Sequence, residues 1–193
     1  MVKILKPAAF LDRDGVINRD TGYVHRWEEF ELLPGAIEAL QLLSESGYTI
    51  VVVTNQSGIG RGYYSVAEFH ALMRRLTDIC SESGISLHYY FCPHAPIDNR
   101  VVCSCRKPHP GMFIQASYEL DIDLPNSIMI GDRLSDMEAA FAATVPRRFL
   151  IGGQSLSNNS AINLVTACFD TLNECVKAIA TYDLEICKNA RRY

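Results

Sequence analysis

Along the chain, short apolar runs without polar interruption alternate with segments in which apolar residues recur every three or four positions. The first pattern marks strands covered on both faces and the second marks amphipathic helices. Their alternation predicts a doubly wound parallel α/β sheet, with right-handed crossovers and helices on both faces. Ala8-Ala9-Phe10-Leu11 is the first apolar run. Pro34-Gly35 then opens a helix from Ala36 to Ser46, with Ile37, Leu40 and Leu43 on one side and Gly47 as its stop. Thr49 to Thr54 is a β-branched strand, and Asn55 to Gly60 is its loop. Ser65 and Glu68 have capping-box spacing, which starts a helix running to near Gly84, before an aromatic strand from Leu87 to Phe91. After an irregular stretch a helix begins near Pro110, and Ser127 to Ile130 forms a fourth strand ending at Gly131-Asp132. Ser135 to Glu138 repeats the capping-box spacing ahead of an alanine-rich helix. Arg148 to Ile151 reads as a fifth strand, Gly152 to Ser160 as a flexible polar loop, and Leu172 onward as a C-terminal helix.

The first strand ends in Asp12-Arg13-Asp14-Gly15, the second in Thr54-Asn55 and the fourth in Gly131-Asp132. Ligands of open α/β sheets bind outside the carboxyl ends of the strands. With the first strand central, flanked by the second and the fourth, Asp12, Thr54 and Asp132 converge at the topological switch point. Carboxylates at a buried strand end are costly unless they are used, which points to a metal, a nucleophile, or both. A calcium loop does not fit, because Gly15 comes too early for an EF-hand and position 23 is tyrosine where the closing glutamate would stand.

Composition narrows the function classes. The 193 residues are 48% hydrophobic, enough for one core, and they are expected to form a single domain. The net charge of −4 and the dispersed Lys and Arg give no basic footprint, so nucleic acid is not an expected partner. No apolar run approaches the roughly 18 residues of a membrane span, so no membrane partner is expected either. The odd count of seven cysteines suits a reducing compartment, and the expectation is a cytoplasmic monomer.

Three of those cysteines lie in the irregular stretch of about 92–110. Cys92, His94, Cys103 and Cys105 supply three thiolates and one imidazole, the ligand set of a closed, tetrahedral structural Zn²⁺ site. Cys105 directly precedes Arg106-Lys107, so a metal that orders this loop would also fix where two cations point. Cys80, Cys168, Cys175 and Cys187 read as small buried hydrophobes without a role.

Asp12-Arg13-Asp14-Gly15, Thr54-Asn55, Lys107 within Arg106-Lys107-Pro108, and Gly131-Asp132 with Asp136 resemble, in order and strand placement, the four signatures of the haloacid-dehalogenase superfamily of phosphotransferases. The resemblance implies a catalytic set of Asp12 as nucleophile, Asp14 as proton carrier, and Thr54 and Lys107 as phosphoryl anchors. It also implies a Mg²⁺ held by Asp12, Asp132 and the main-chain carbonyl of Asp14, with Asp136 orienting Lys107 or metal waters. Thr21-Gly22-Tyr23, Asn55-Gln56-Ser57-Gly58-Ile59, the Cys/His loop and Cys105-Arg106-Lys107-Pro108-His109-Pro110-Gly111-Met112 look most like the heptose-1,7-bisphosphate 7-phosphatase family within it. By that likeness Asp20, Thr21, Gly22, Tyr23, Asn55, Gln56, Ser57, Arg106 and Arg133 are expected to line the site of a sugar phosphate, with Arg106 on the distal phosphate. Arg133 departs from the lysine common in that family. The same loop and Gly131-Asp132-Arg133 also resemble histidinol-phosphate phosphatase, and a non-catalytic zinc-stabilised sugar-phosphate binding module is a third reading. No large cap domain is expected, since about one helix and a loop separate the first two strands.

Overall fold

The computed structural model describes residues 4–98, 100–101, 103–152 and 163–190, with side chains through residue 182. Six strands, β1 (Ala8–Leu11), β2 (Thr49–Asn55), β3 (Leu87–Cys92), β4 (Ile128–Gly131), β5 (Arg147–Ile151) and β6 (Ala167–Phe169), form one sheet in the order β3-β2-β1-β4-β5-β6. All five neighbouring pairs are parallel. The helices between and after them are α1 (Ala36–Glu45), the short α2 (Ser57–Gly60), α3 (Val66–Glu82), α4 (Gly111–Leu120), α5 (Leu134–Ala142) and, following β6, α6 (Leu172–Ala190). β1 is central, with β2 on one side and β4 on the other, as the sequence predicts.

Side chains alternate across the sheet, because successive residues of a strand point to opposite faces. Ala9, Leu11, Ile50, Val52, Ile128 and Ile130 enter one core with Leu40 and Leu43 of α1, Phe69 and Leu76 of α3, and Val176 of α6. Ala8, Phe10, Val51, Val53 and Met129 enter the other with Phe113 of α4 and Met137 and Ala140 of α5. Burial on both faces is why these strands read as unbroken apolar runs. No described helix is long and apolar enough to cross a membrane.

Element boundaries follow their local chemistry. The Ser65 side chain accepts the Glu68 N–H at 3.2 Å while the Glu68 carboxylate accepts the Ser65 N–H at 2.8 Å, which fixes the start of α3. α5 differs from expectation. It begins at Leu134, ahead of Ser135, and the Asp136 carboxylate accepts the Arg133 N–H at 3.0 Å, so the residue that serves the helix start is the acid in its first turn. Ser127 precedes β4 and its hydroxyl accepts the Ala8 N–H, extending the β1 ladder by a side chain. β6 is absent from the sequence reading, because three residues, two half-exposed and one exposed, are too short a run to show a pattern. Cys80 and Cys175 are buried as expected, but Cys168, on the edge strand β6, is exposed. Cys187 and nearly all of the loop expected over 152–160 lie outside the described side chains.

Candidate active site at the carboxyl ends of the strands

Asp12 leaves β1 with its N–H still bonded to the Ile130 carbonyl of β4, so the central ladder itself sets where the carboxylate stands. Its Oδ1 lies 3.1 Å from Lys107 Nζ, and the same ammonium reaches Asp136 Oδ1 at 2.6 Å and the Val53 carbonyl at 2.8 Å. The ammonium thus donates to one carbonyl and pairs with two carboxylates. The Lys107 peptide is held from both ends by the Asn55 amide, which donates to its carbonyl and accepts its N–H, each at 3.1 Å. Burial would lower the Lys107 pKa, but Asp12 and Asp136 outweigh it and hold the ammonium charged. Burial pushes Asp12 up to about 7 against the pull of Lys107, and pushes Asp132 up to about 6 with help from Asp136.

Oxygens of Asp12, Asp132 and Asp136 lie within 4.8 Å of one another, and Asp132 Oδ1 is buried without a partner among the described residues. Three carboxylates against one ammonium, with an oxygen left over, make a donor set that suits a hard divalent cation. Gly15 and Gly131 make this crowding possible. Gly15 has φ +80°, and a Cβ there would stand 2.5 Å from Asp132 Oδ2; at Gly131 a Cβ would stand 2.5 Å from Asp136 Oδ2.

The Asp14 carboxylate stands outside that acidic group. Arg13 Nη2 donates to both of its oxygens at 2.8 Å, Arg13 Nε and Asn18 Nδ2 bond Oδ1 at 3.1 and 3.0 Å, and Gln56 Nε2 bonds Oδ2 at 3.0 Å. Only the main-chain oxygen of Asp14 is therefore left for a cation. Arg13 is fully buried, donates also to the Val24 carbonyl at 2.7 Å, and has its guanidinium over the Phe69 ring. Sequence reasoning assigned it no role. No periodicity marks it, because it lies in the bend after β1 and not in a strand.

Above these groups opens a cavity of about 480 Å³ lined by Asp12, Asp14, Thr54, Lys107 and Asp136 at its floor, and by Asp20, Gly22, Tyr23, Asn55, Gln56, Ser57, Arg106 and Arg133 at its walls. Thr21 is exposed and does not line it, a departure from the expected set, because the loop turns outward through Gly22 and Tyr23, both at positive φ. Asn55 and Gln56 line it but use their side chains within the protein, Asn55 on Lys107 and Gln56 on Asp14 and Thr54. Arg133 bridges to Asp20 at 3.1 Å across the mouth, and Tyr23 meets Tyr63 edge to face there. Pro96, Val101, Tyr64 and Ser135 complete the wall, none of them foreseen from the sequence.

Beside the cavity, Cys92 Sγ lies 3.6 Å from both His94 Nδ1 and Cys103 Sγ, Cys105 Sγ lies 3.4 Å from Cys103 Sγ, and His94 Nδ1 lies 3.3 Å from Cys105 Sγ. A tetrahedron with metal–sulfur bonds near 2.3 Å has edges of about 3.8 Å, so the four atoms have the spread of a zinc ligand set. The loop is pinned to the site by the Gln56 N–H on the Cys92 carbonyl at 2.8 Å and by Arg106 Nη1 on the His94 carbonyl at 3.3 Å. Gly111 lets the start of α4 press on it, since a Cβ there would stand 2.4 Å from the Ser104 oxygen.

A family model described as haloacid dehalogenase-like hydrolase matches residues 5–144. A D-glycero-beta-D-manno-heptose-1,7-bisphosphate 7-phosphatase of Escherichia coli O6:H1 is 47% identical over 150 residues, which cover 75% of this chain and 79% of that protein. The protein of the same name from Photorhabdus laumondii is 41% identical over 178 residues, covering 90% and 95%. Among solved structures, D,D-heptose 1,7-bisphosphate phosphatase from B. bronchiseptica, complexed with magnesium and phosphate, superposes with a TM-score of 0.76 at 28% identity, covering 91% of this chain and 99% of that one.

Proposed function

The chain belongs to the haloacid dehalogenase-like hydrolases, and from that premise we propose that it removes the 7-phosphate of D-glycero-β-D-manno-heptose 1,7-bisphosphate, in the biosynthesis of nucleotide-activated heptose. The observation that carries the chemistry is the meeting of Asp12 with Lys107 and Asp136 at the floor of an open cavity, three charged groups from three separate stretches of chain. The substrate and its β anomer come from relatives whose names carry it.

In this reading an Asp12 carboxylate oxygen attacks phosphorus, the bond from phosphorus to the sugar oxygen breaks, and Asp14 gives its proton to that leaving oxygen. Asp14 then takes a proton from water as the water attacks the aspartyl-phosphate, which returns Asp12 and releases inorganic phosphate. Lys107 and the Thr54 hydroxyl steady the equatorial oxygens of the transferring phosphoryl group. Asp12, Asp132 and the Asp14 main-chain oxygen would hold a Mg²⁺, whose charge offsets the repulsion between the carboxylates and the phosphate dianion. Cys92, His94, Cys103 and Cys105 would hold a structural Zn²⁺. Arg106 is assigned to the distal phosphate, because a guanidinium grips two phosphate oxygens at once.

The test is phosphate release in Mg²⁺, comparing kcat/KM for both heptose bisphosphate anomers and for histidinol phosphate. Preference for the β heptose ester is expected. Preference for the amino-alcohol ester would move the chain to a different substrate class, and inertness toward all three would favour a binding module.

A further inference from the structure

The least exposed wall of the cavity holds a side chain that touches both halves of the proposed reaction. Gln56 is 2% exposed. Its Nε2 lies 3.0 Å from Asp14 Oδ2 and 2.8 Å from Thr54 Oγ1, and its Oε1 accepts the Tyr64 hydroxyl at 2.5 Å. Every hydrogen of the amide nitrogen therefore has an acceptor inside the protein. The NH₂ end of the amide faces Asp14, and the Tyr64 hydroxyl on Oε1 locks that orientation from behind. Tyr64 is itself fixed by stacking on His25, and Gly58 is required beside it, since a Cβ there would stand 2.1 Å from the Tyr64 ring.

From this geometry we infer that Gln56 is a positioning residue that couples the proton carrier Asp14 to the phosphoryl anchor Thr54, and not a contact to the sugar. The inference rests on the phosphatase reading above. Arg13 grips both oxygens of Asp14 and Asn18 adds a bond at Oδ1, while Gln56 adds a second bond at Oδ2 and, from the same nitrogen, also reaches Thr54. The same NH₂ occupies an acceptor site of the Thr54 hydroxyl, which leaves that hydroxyl's own proton for a phosphoryl oxygen. One amide thus sets Asp14 toward the leaving oxygen and Thr54 toward the phosphoryl group.

Loss of the coupling has a signature that depends on the leaving group. A sugar alkoxide leaves only when protonated, whereas p-nitrophenolate leaves without help, and kcat/KM reports the step in which that bond breaks. Gln56→Leu is expected to lower kcat/KM for the heptose bisphosphate by about a hundredfold, and for p-nitrophenyl phosphate by less than about tenfold. Gln56→Glu keeps the shape and the partner for Tyr64 but donates nothing to Asp14, and it should give the same split. Thr54→Val should lower both substrates alike. Thermal unfolding of each variant checks that the fold is intact. Equal losses on the two substrates in both Gln56 variants would overturn the inference, whereas a wild-type protein that hydrolyses neither ester in Mg²⁺ would instead remove the phosphatase reading beneath it.

Discussion

Asp12 receives the proposed covalent bond, and its surroundings give sharp expectations for single substitutions. Asp12→Asn should fold, as judged by unchanged circular dichroism, and release no measurable phosphate from the bisphosphate. Lys107→Met removes the cation that both Asp12 and Asp136 face, and should lower kcat by about 10²–10³-fold, the loss typical of an electrostatic donor to a transition state. Arg106→Ala should raise KM for the bisphosphate far more than for a monophosphate, because only the former has a second phosphate to grip. Burial raises the Cys80 thiol to about 11 and the Cys175 thiol to about 12, so at pH 8 neither carries the reactive thiolate. Peptide mapping after iodoacetamide at that pH should find both unlabelled and exposed Cys168 labelled, with Cys80 and Cys175 reacting only after denaturation. The acids and Lys107 were legible in the sequence because strand ends reveal where side chains emerge. The inward turn of Arg13 was not, since a long charged side chain in a loop is ordinarily solvated, and it is the Asp14 fork, the Val24 carbonyl and the Phe69 face that make its burial tolerable.

Elements were legible where one physical signal dominated. β1, β2 and β4 are covered on both faces and read as apolar runs, and α3 announces itself by its cap. β6 and the onset of α5 were hidden because tertiary pairing and a helix-start acid decide them, and neither leaves a period in the sequence. α1 shows what such packing contributes. Leu40 is fully buried against the sheet, and Leu40→Ala should destabilise the protein by about 2–5 kcal/mol in urea unfolding. The described residues of the Cys/His loop have almost no regular structure, so the proposed zinc is expected to order it. Stripping the metal with a thiol-specific mercurial and a chelator should release about one zinc per chain, make the 92–110 segment sensitive to protease, and lower activity that excess Mg²⁺ does not restore.

At the scale of the molecule, the sheet gathers Asp12, Thr54 and Asp132 at the switch point, and the loops around that point supply the remaining groups. A cation bound there links activity to global stability. Saturating Mg²⁺ at about a hundred times its dissociation constant should add about 2.7 kcal/mol to unfolding, and Asp132→Asn should abolish most of that gain while leaving the metal-free Tm nearly unchanged. The strand order has another outcome, which belongs to synthesis. The hydroxyl that completes the β1 ladder comes from Ser127, 119 positions after Ala8, and β4 pairs with the same edge. A nascent chain on the ribosome therefore carries Ala8-Ala9-Phe10-Leu11 with one edge bare until β4 emerges, and for that interval the sheet's future centre is its stickiest margin, an opening for a chaperone or for aggregation.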